Sequence, residues 1–219
     1  MKVDLHVHTN HSSPCSLIDP ERAVRAAMAA GLDGICVTEH DEIDGARVAG
    51  EIGRRLGFPV FQGIEIYTDM GDMLVYGLYR SAPSWKMAFE ELLEQCRSCG
   101  AVIVPAHPCR VTGELERLHG PERVGRLMKS VDAVETHNGG CTPQGNAAAL
   151  AMASAYGLPG TGGSDAHHEF QIGRCYTVFK DSFVSDEHLV EALKGGHFRG
   201  AFDAGGGGLK ENDGCIAFW

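Results

Sequence analysis

The sequence has no apolar run near the ~20 residues that a membrane-spanning helix needs, which excludes such a span. Its amino end, Met1-Lys2-Val3-Asp4, puts an acid and then a histidine where a secretory signal needs an apolar stretch, so a cytoplasmic location is expected. Positive charge is scarce: 19 Lys and Arg stand against 29 Asp and Glu, a formal net charge of −10. Such a surface repels phosphate backbones at long range. An extended nucleic acid is therefore a poor partner, whereas a small phosphorylated substrate held by a few local arginines is not excluded. Aromatics make up only 7%, yet 43% of the 219 residues are hydrophobic, enough for one compact core and too many for a disordered chain. The eight cysteines lack the density of a small secreted scaffold, so free thiols are expected. Cys96 and Cys99 form a lone C-x-x-C in a helical pattern, with no second pair to complete a zinc site.

Internal repeats of 20–50 residues and interdomain linkers are missing too. What is present is alternation. Strand-like runs occupy Val3 to His8, Gly34 to Thr38, Val60 to Tyr67, Met73 to Leu78, Ala101 to Pro105, Val131 to Thr136 and Cys175 to Phe179. Helical patterns fill Pro20 to Ala30, with Asp19 as N-cap and Pro20 at the first position, then Trp85 to Cys99, Gln144 to Tyr156 and Ser185 to Leu193. Gly31, Gly100, Gly157 and Gly195 are the expected stops. The pattern predicts an α/β fold with a largely parallel sheet, open or closed into a barrel. One domain is expected over residues 1–200, followed by a Gly-rich segment over 201–219 that contains Gly205 to Gly208.

Eleven histidines are many for this length, and six of them fall at strand ends. His6 and His8 are two apart on a predicted strand, so both imidazoles leave one face. Asp165 and His167 have the same spacing, His40 closes Thr38-Glu39-His40, and His107 and His137 follow two further strands. Glu65 sits in an apolar run that would otherwise exclude a carboxylate. In a parallel α/β architecture the carboxyl ends of the strands share one rim, where ligands bind. Taken singly, a histidine at a strand end is more often a hydrogen-bonded or surface residue than a ligand. Six of them with two acids, all at strand ends, are far harder to explain by packing. The set suits zinc, manganese or iron, and eight ligands exceed one ion's need, pointing to two or three divalent ions with Glu65 as the natural bridge. His119, His188 and His197 have no partner pattern, and His168 is open.

These residues resemble the PHP (polymerase and histidinol phosphatase) family. The resemblance is carried by Asp4-Leu5-His6-Val7-His8-Thr9, Thr38-Glu39-His40-Asp41, Gly63-Ile64-Glu65, Ala106-His107-Pro108 and Gly163-Ser164-Asp165-Ala166-His167, in the family's order. It implies a single-domain distorted (β/α)7 barrel with a di- or trinuclear metal site and, usually, phosphoester hydrolysis. By position, His6, His8, Glu65 and Asp165 would hold one ion, Glu65, His107 and His137 a second, and His40 and His167 would contribute to a third. Many members carry an acid or histidine shortly after the H-x-H-T stretch, in a Ser-Asp-Gly context. This chain has Ser12-Ser13-Pro14, so Ser13 stands near that place and His11 is the available substitute. The long inserted domain of some nucleotide-directed members is missing.

On this reading, ions bridged by Glu65 bring a shared water near neutrality and supply a metal-bridging hydroxide as nucleophile, with Glu65, Asp165 and His167 at the reacting centre. The substrate expected is a small phosphate ester, a monoester before a diester. Its phosphate also needs donors away from the metals. Arg110, three residues after His107, is the first candidate, Arg174 after the D-x-H loop the second and Arg199 the third, with His11 on the same substrate side. Each arginine can equally be a solvated surface charge. Asp4 shares the His6/His8 face and suits orienting a ligand or closing the barrel floor more than binding metal. His167, His168 and Asp41 are all open as proton donor to the leaving group. Competing readings are an amidohydrolase, weakened by the D-x-H ending and by the want of a metal-bridging lysine on a strand, a non-catalytic PHP module of the polymerase type, and a nuclease for short single strands. Loops at 68–72, 110–123 and 138–145 are the expected specificity elements.

Overall fold

The computed structural model describes residues 1–83 and 85–203; most of the Gly-rich segment, including Gly205 to Gly208, lies outside the described residues. In chain order the elements are β1 (Lys2–Val7), α1 (Pro20–Ala29), β2 (Gly34–His40), α2 (Asp44–Leu56), β3 (Val60–Thr68), β4 (Gly71–Tyr76), α3 (Phe89–Cys99), β5 (Val102–Pro105), α4 (Glu114–Met128), β6 (Val134–Asn138), α5 (Pro143–Tyr156), β7 (Gly160–Gly163), β8 (Cys175–Phe179), α6 (Asp186–Gly195) and β9 (Phe198–Phe202). A single 3₁₀ turn, Glu169–Gln171, precedes β8.

Seven strands form one curled sheet in the order β5-β4-β3-β2-β1-β8-β9, and β6-β7 form a second, two-stranded sheet. Two seams join them. At one, the Ile103 N–H donates to the Asp132 carboxylate at 2.9 Å and the Asp132 N–H to the Ile103 carbonyl at 3.0 Å, tying β5 to the segment before β6. At the other, the Asp165 N–H donates to the His6 carbonyl at 2.8 Å and the His8 N–H to the Ala166 carbonyl at 3.1 Å, tying the end of β1 to the chain leaving β7. The result is a distorted (β/α)7 barrel in which β1 to β7 close the ring. No helix among the described residues is long and apolar enough to cross a membrane.

The sheet is mixed, not largely parallel as the alternation suggests. β1, β2 and β3 pair in parallel, whereas β4 runs against both β3 and β5, and β8 against both β1 and β9. The cause is local: only Asp69 and Met70 separate β3 from β4, and a parallel crossover needs a dozen residues or more. Helix α1 starts as its sequence predicts, with the Asp19 side chain accepting from the Glu21 and Arg22 N–H groups. Helix α3 begins later than expected, at Phe89, whose N–H is held by Asp69 at 2.8 Å.

Two buried clusters support the ring. One packs Ile35, Ile64, Val75 and Ile103 of the strands against Ala23, Ala46, Leu92 and Val124 of helices α1 to α4. The other joins Leu5, Phe61, Tyr76 and Val104 to Phe179, Phe183 and the α6 residues Leu189 and Leu193. Burying each large side chain contributes roughly 1.5–3 kcal/mol.

Candidate metal centre

Each ring strand carries its polar residue to one rim. His6 lies in β1 and His8 just after it; both are fully buried, with their Nε2 atoms 3.0 Å apart. Strand register sets His40 opposite Glu65. The Glu65 carboxylate then stands among four imidazoles: Oε1 is 3.4 Å from His6 Nε2 and 3.1 Å from His107 Nε2, and Oε2 is 3.3 Å from His8 Nε2 and 3.0 Å from His40 Nδ1. Asp165 Oδ1 completes the cage at 3.6 Å from His6 Nε2 and 3.5 Å from His8 Nε2. Ligand-sized sets result: His6, His8 and Glu65; His6, His107 and Asp165; Glu65, Asp72 and His107; and His8, His40 and His167, each with its ligand atoms within 4.8 Å of one another.

The backbone is bent to achieve this. Among non-glycine residues, Asp41, His107 and Asp165 adopt left-handed φ values of 56°, 34° and 54°. Two of these are members of the cage and the third follows His40. Strain of this kind persists only where surrounding structure over-determines it, and it gathers at functional sites.

Chemically, the cage fits divalent cations. Glu65 Oε2 is buried with no hydrogen-bond donor of proper geometry among the described residues, an arrangement that is costly unless a cation answers it. Burial opposes charge on His6, Glu65 and Asp165, and there the neighbours override it, whereas at Asp72 and His167 burial prevails. Burial works to lower the His6 pKa, yet Glu135, Asp165 and Glu65 hold it well above the usual value. Burial works to raise Glu65, yet His6, His107 and His40 hold its carboxyl well below the ordinary range. Asp165 is likewise pulled down against its burial, chiefly by His6 and His8. A field that holds protons on His6 and His8 against their burial also favours a metal ion between them.

Behind the cage stand buried groups that orient it. His6 Nδ1 is 2.9 Å from Glu135 Oε1, and Glu135 Oε2 accepts from the His107 N–H at 2.7 Å and from the Asn138 amide at 2.9 Å. Ser13 Oγ lies 3.5 Å from His8 Nδ1 and donates to Glu39 Oε2 at 2.5 Å; Glu39 is also bonded by the Thr9 hydroxyl and N–H. His167 Nδ1 is 3.0 Å from the Asp165 carbonyl. Because a carbonyl only accepts, that nitrogen carries the proton, and Nε2 is left with a lone pair.

The structure brings together His6, His8, His40, Glu65, His107, Asp165 and His167, but not His137. A bulge between Glu135 and His137 shifts the alternation of β6 by one residue, so Asn138 joins Glu135 on the barrel side. His137 instead has Nδ1 2.8 Å from Thr136 Oγ and its ring 4.7 Å from that of Phe202. Burial, aided by the charge of Arg199, pushes its pKa down to about 4. His11 is exposed, with its N–H on Thr9 Oγ, and belongs to none of the ligand sets. Ser13 faces the outer nitrogen of His8 and belongs to none of the ligand sets. Of the arginines, only Arg110 reaches the cage, where its guanidinium pairs with Asp165 Oδ2. Arg174 lies over the Phe170 ring at 5.1 Å, and Phe170 stacks on His168 at 5.3 Å in an exposed triplet. Arg199 sits beside His137.

Asp72, Glu135 and Asn138 escaped the sequence reading. Glu135 had a signal akin to that of Glu65, a carboxylate inside the strand-like run Val131 to Thr136.

A barrel whose rim gathers imidazoles and buried carboxylates into sets of ligand size defines the class of metal-dependent hydrolases. The chain belongs to the PHP family: the PHP domain profile matches residues 4–112 and the PHP-associated profile residues 143–198. It is 28% identical over 187 residues to the uncharacterized protein MJ0417 of Methanocaldococcus jannaschii, covering 83% of this chain and 71% of that one. Its fold is similar to that of a two-domain protein of Bacteroides vulgatus described as containing a predicted PHP-like metal-dependent phosphoesterase, at TM-score 0.73 and 23% identity over 92% of this chain. The chain spans 64% of that protein. The fold is also similar to that of an amidohydrolase from Chromobacterium violaceum with bound sulfate, at TM-score 0.66 and 15% identity, covering 88% of this chain and 97% of that one.

Proposed function

We propose that this chain is a metal-dependent phosphoesterase that hydrolyses a small phosphate ester, a monoester in preference to a diester. The observation that carries the reading is Glu65 set among His6, His8, His40 and His107, with one oxygen lacking a donor of proper geometry among the described residues, beside the guanidinium of Arg110. His6, His8, Glu65, Asp165, His107 and Asp72 would hold two ions, and the all-imidazole set of His8, His40 and His167 a third. Zinc, manganese and iron all suit these nitrogen and oxygen donors. When bound, such ions supply Lewis-acid charge and an acidified water.

The chain's own groups do the rest. Arg110, positioned by Asp165, has further N–H donors for a phosphoryl oxygen. His167, with its proton on Nδ1, offers a lone pair and suits a ligand better than a proton donor. Net charge of −10 favours small esters over nucleic acid strands. The free thiols of the seven described cysteines suit a reducing compartment, the cytoplasm. Amide hydrolysis is the second reading, favoured by the fold shared with the Chromobacterium violaceum amidohydrolase.

The test is anaerobic purification with metal analysis, followed by p-nitrophenyl phosphate, bis-p-nitrophenyl phosphate and a cyclic amide panel. More than one equivalent of metal and faster monoester turnover are expected. A metal-replete protein that cleaves only amides, or nothing, overturns the proposal.

A further inference from the structure

A groove of about 330 Å³ opens beside the cage, with Asp72, His107 and Arg110 at its inner end. It runs between the β3–β4 hairpin and the segment from Val111 to His119. That volume falls within the ~300–1,000 Å³ of small-molecule pockets. Between its charged residues the walls carry the apolar groups of Tyr67, Met70, Val111, Leu115 and Leu118. Tyr67, Val111 and Leu118 leave 49%, 57% and 58% of their surface exposed, so three large apolar groups face water on the rim of one groove. Lys86 lies with its ammonium 5.2 Å from the Tyr67 ring centroid. The acids nearby are engaged: Asp69 pairs with Arg123, and Glu114 with Arg117 at 3.3 Å.

Beyond Asp72, His107 and Arg110 at its inner end, the groove has no part in the handling of a phosphate. It touches the cage at His107 and Arg110, so a phosphoryl group seated there would direct its ester oxygen and whatever follows either outward to solvent or along the groove. Exposed aromatic and aliphatic walls gain from covering a flat apolar group. Asp69 and Glu114 are already paired with Arg123 and Arg117, and Lys86 lies over the Tyr67 ring, so the groove walls suit a covering apolar group better than a second anion. We propose that the groove binds the leaving group, and that the preferred substrate is the monophosphate of an uncharged, ring-bearing alcohol, its ring lying against Tyr67 and Leu118. This inference rests on the phosphoesterase reading above and specifies its substrate class.

The experiment compares 1-naphthyl phosphate with methyl phosphate on metal-loaded wild-type protein, Tyr67→Ala and Leu118→Asp. In parallel, calorimetry follows binding of the non-hydrolysable 1-naphthylmethylphosphonate and methylphosphonate. The kcat/KM ratio of naphthyl to methyl substrate is expected to fall about tenfold in each variant, and the affinity ratio of the phosphonates to fall with it. Comparing ratios between variants cancels the different leaving-group reactivity of the two esters. Ratios that stay at the wild-type value in both variants overturn the groove assignment while leaving the hydrolase standing. Should neither phosphate be hydrolysed, the phosphoesterase reading fails, and the phosphonate ratios alone decide whether the groove takes a ring.

Discussion

Glu135 and His6 meet at 2.9 Å, carboxylate oxygen to Nδ1, in a fully buried contact. That contact fixes the proton on Nδ1 and turns Nε2 toward Glu65, the orientation a metal ligand needs. The same carboxylate holds the His107 N–H at 2.7 Å, so one side chain orients two members of the cage. Glu135→Gln should lower metal affinity about 10–100-fold, measured by competition with a chromogenic chelator. Affinity equal to wild type would leave Glu135 a packing residue only.

Glu65 and His107 share the most central contact, at 3.1 Å. Alanine at either position should lower bound metal and reduce phosphatase turnover by roughly 10²–10³-fold or more, with the circular dichroism of the barrel retained. Full activity of either variant in a metal-replete assay would end the hydrolase proposal at this site.

The sequence exposed the cage because its donors are residue types that packing rarely places at strand ends, and strand periodicity orders them. H-x-H in β1 was legible for that reason, and D-x-H through its matching two-residue spacing. The position of His137 was not, because a one-residue bulge in β6 leaves no mark on composition and inverts every later side chain. Strand β7 was missed for a different reason. Its sequence, Gly160-Thr161-Gly162-Gly163, has poor strand propensity, yet only glycine fits there: a Cβ on Gly163 would come 2.3 Å from the His6 Cβ, and one on Gly162 2.4 Å from the Tyr176 carbonyl oxygen. The demand comes from β1 and β8, far away in the chain. Helix α4 was hidden by Gly120 and Pro121, which kink it where the backbone turns to φ 74°.

His137 gives a prediction with a sign. Its pKa falls from 6.5 to about 4 in the folded chain, through burial first and Arg199 second. The unfolded chain therefore binds the extra proton between those values, and the stability contributed by the neutral ring is full above pH ~6.5 and lost as pH falls toward 4. His137→Gln should flatten the decline of Tm across that window while leaving metal stoichiometry at the wild-type value. A drop in bound metal would restore His137 to the ligands.

Arg110 is half-exposed and Asp165 buried, and their ion pair forms at the mouth of the cage. Its two plausible duties, holding Asp165 in place and binding phosphate, separate experimentally. If the guanidinium serves the substrate, Arg110→Ala reduces kcat/KM for a phosphomonoester by about 10²-fold, as loss of one charged transition-state donor does, and metal content stays constant. Arg110→Lys would recover only part of the loss, since an ammonium cannot reproduce a bidentate fork. If metal content falls in step with activity, the arginine belongs to the support of Asp165, and the phosphate must find its donors elsewhere on the rim.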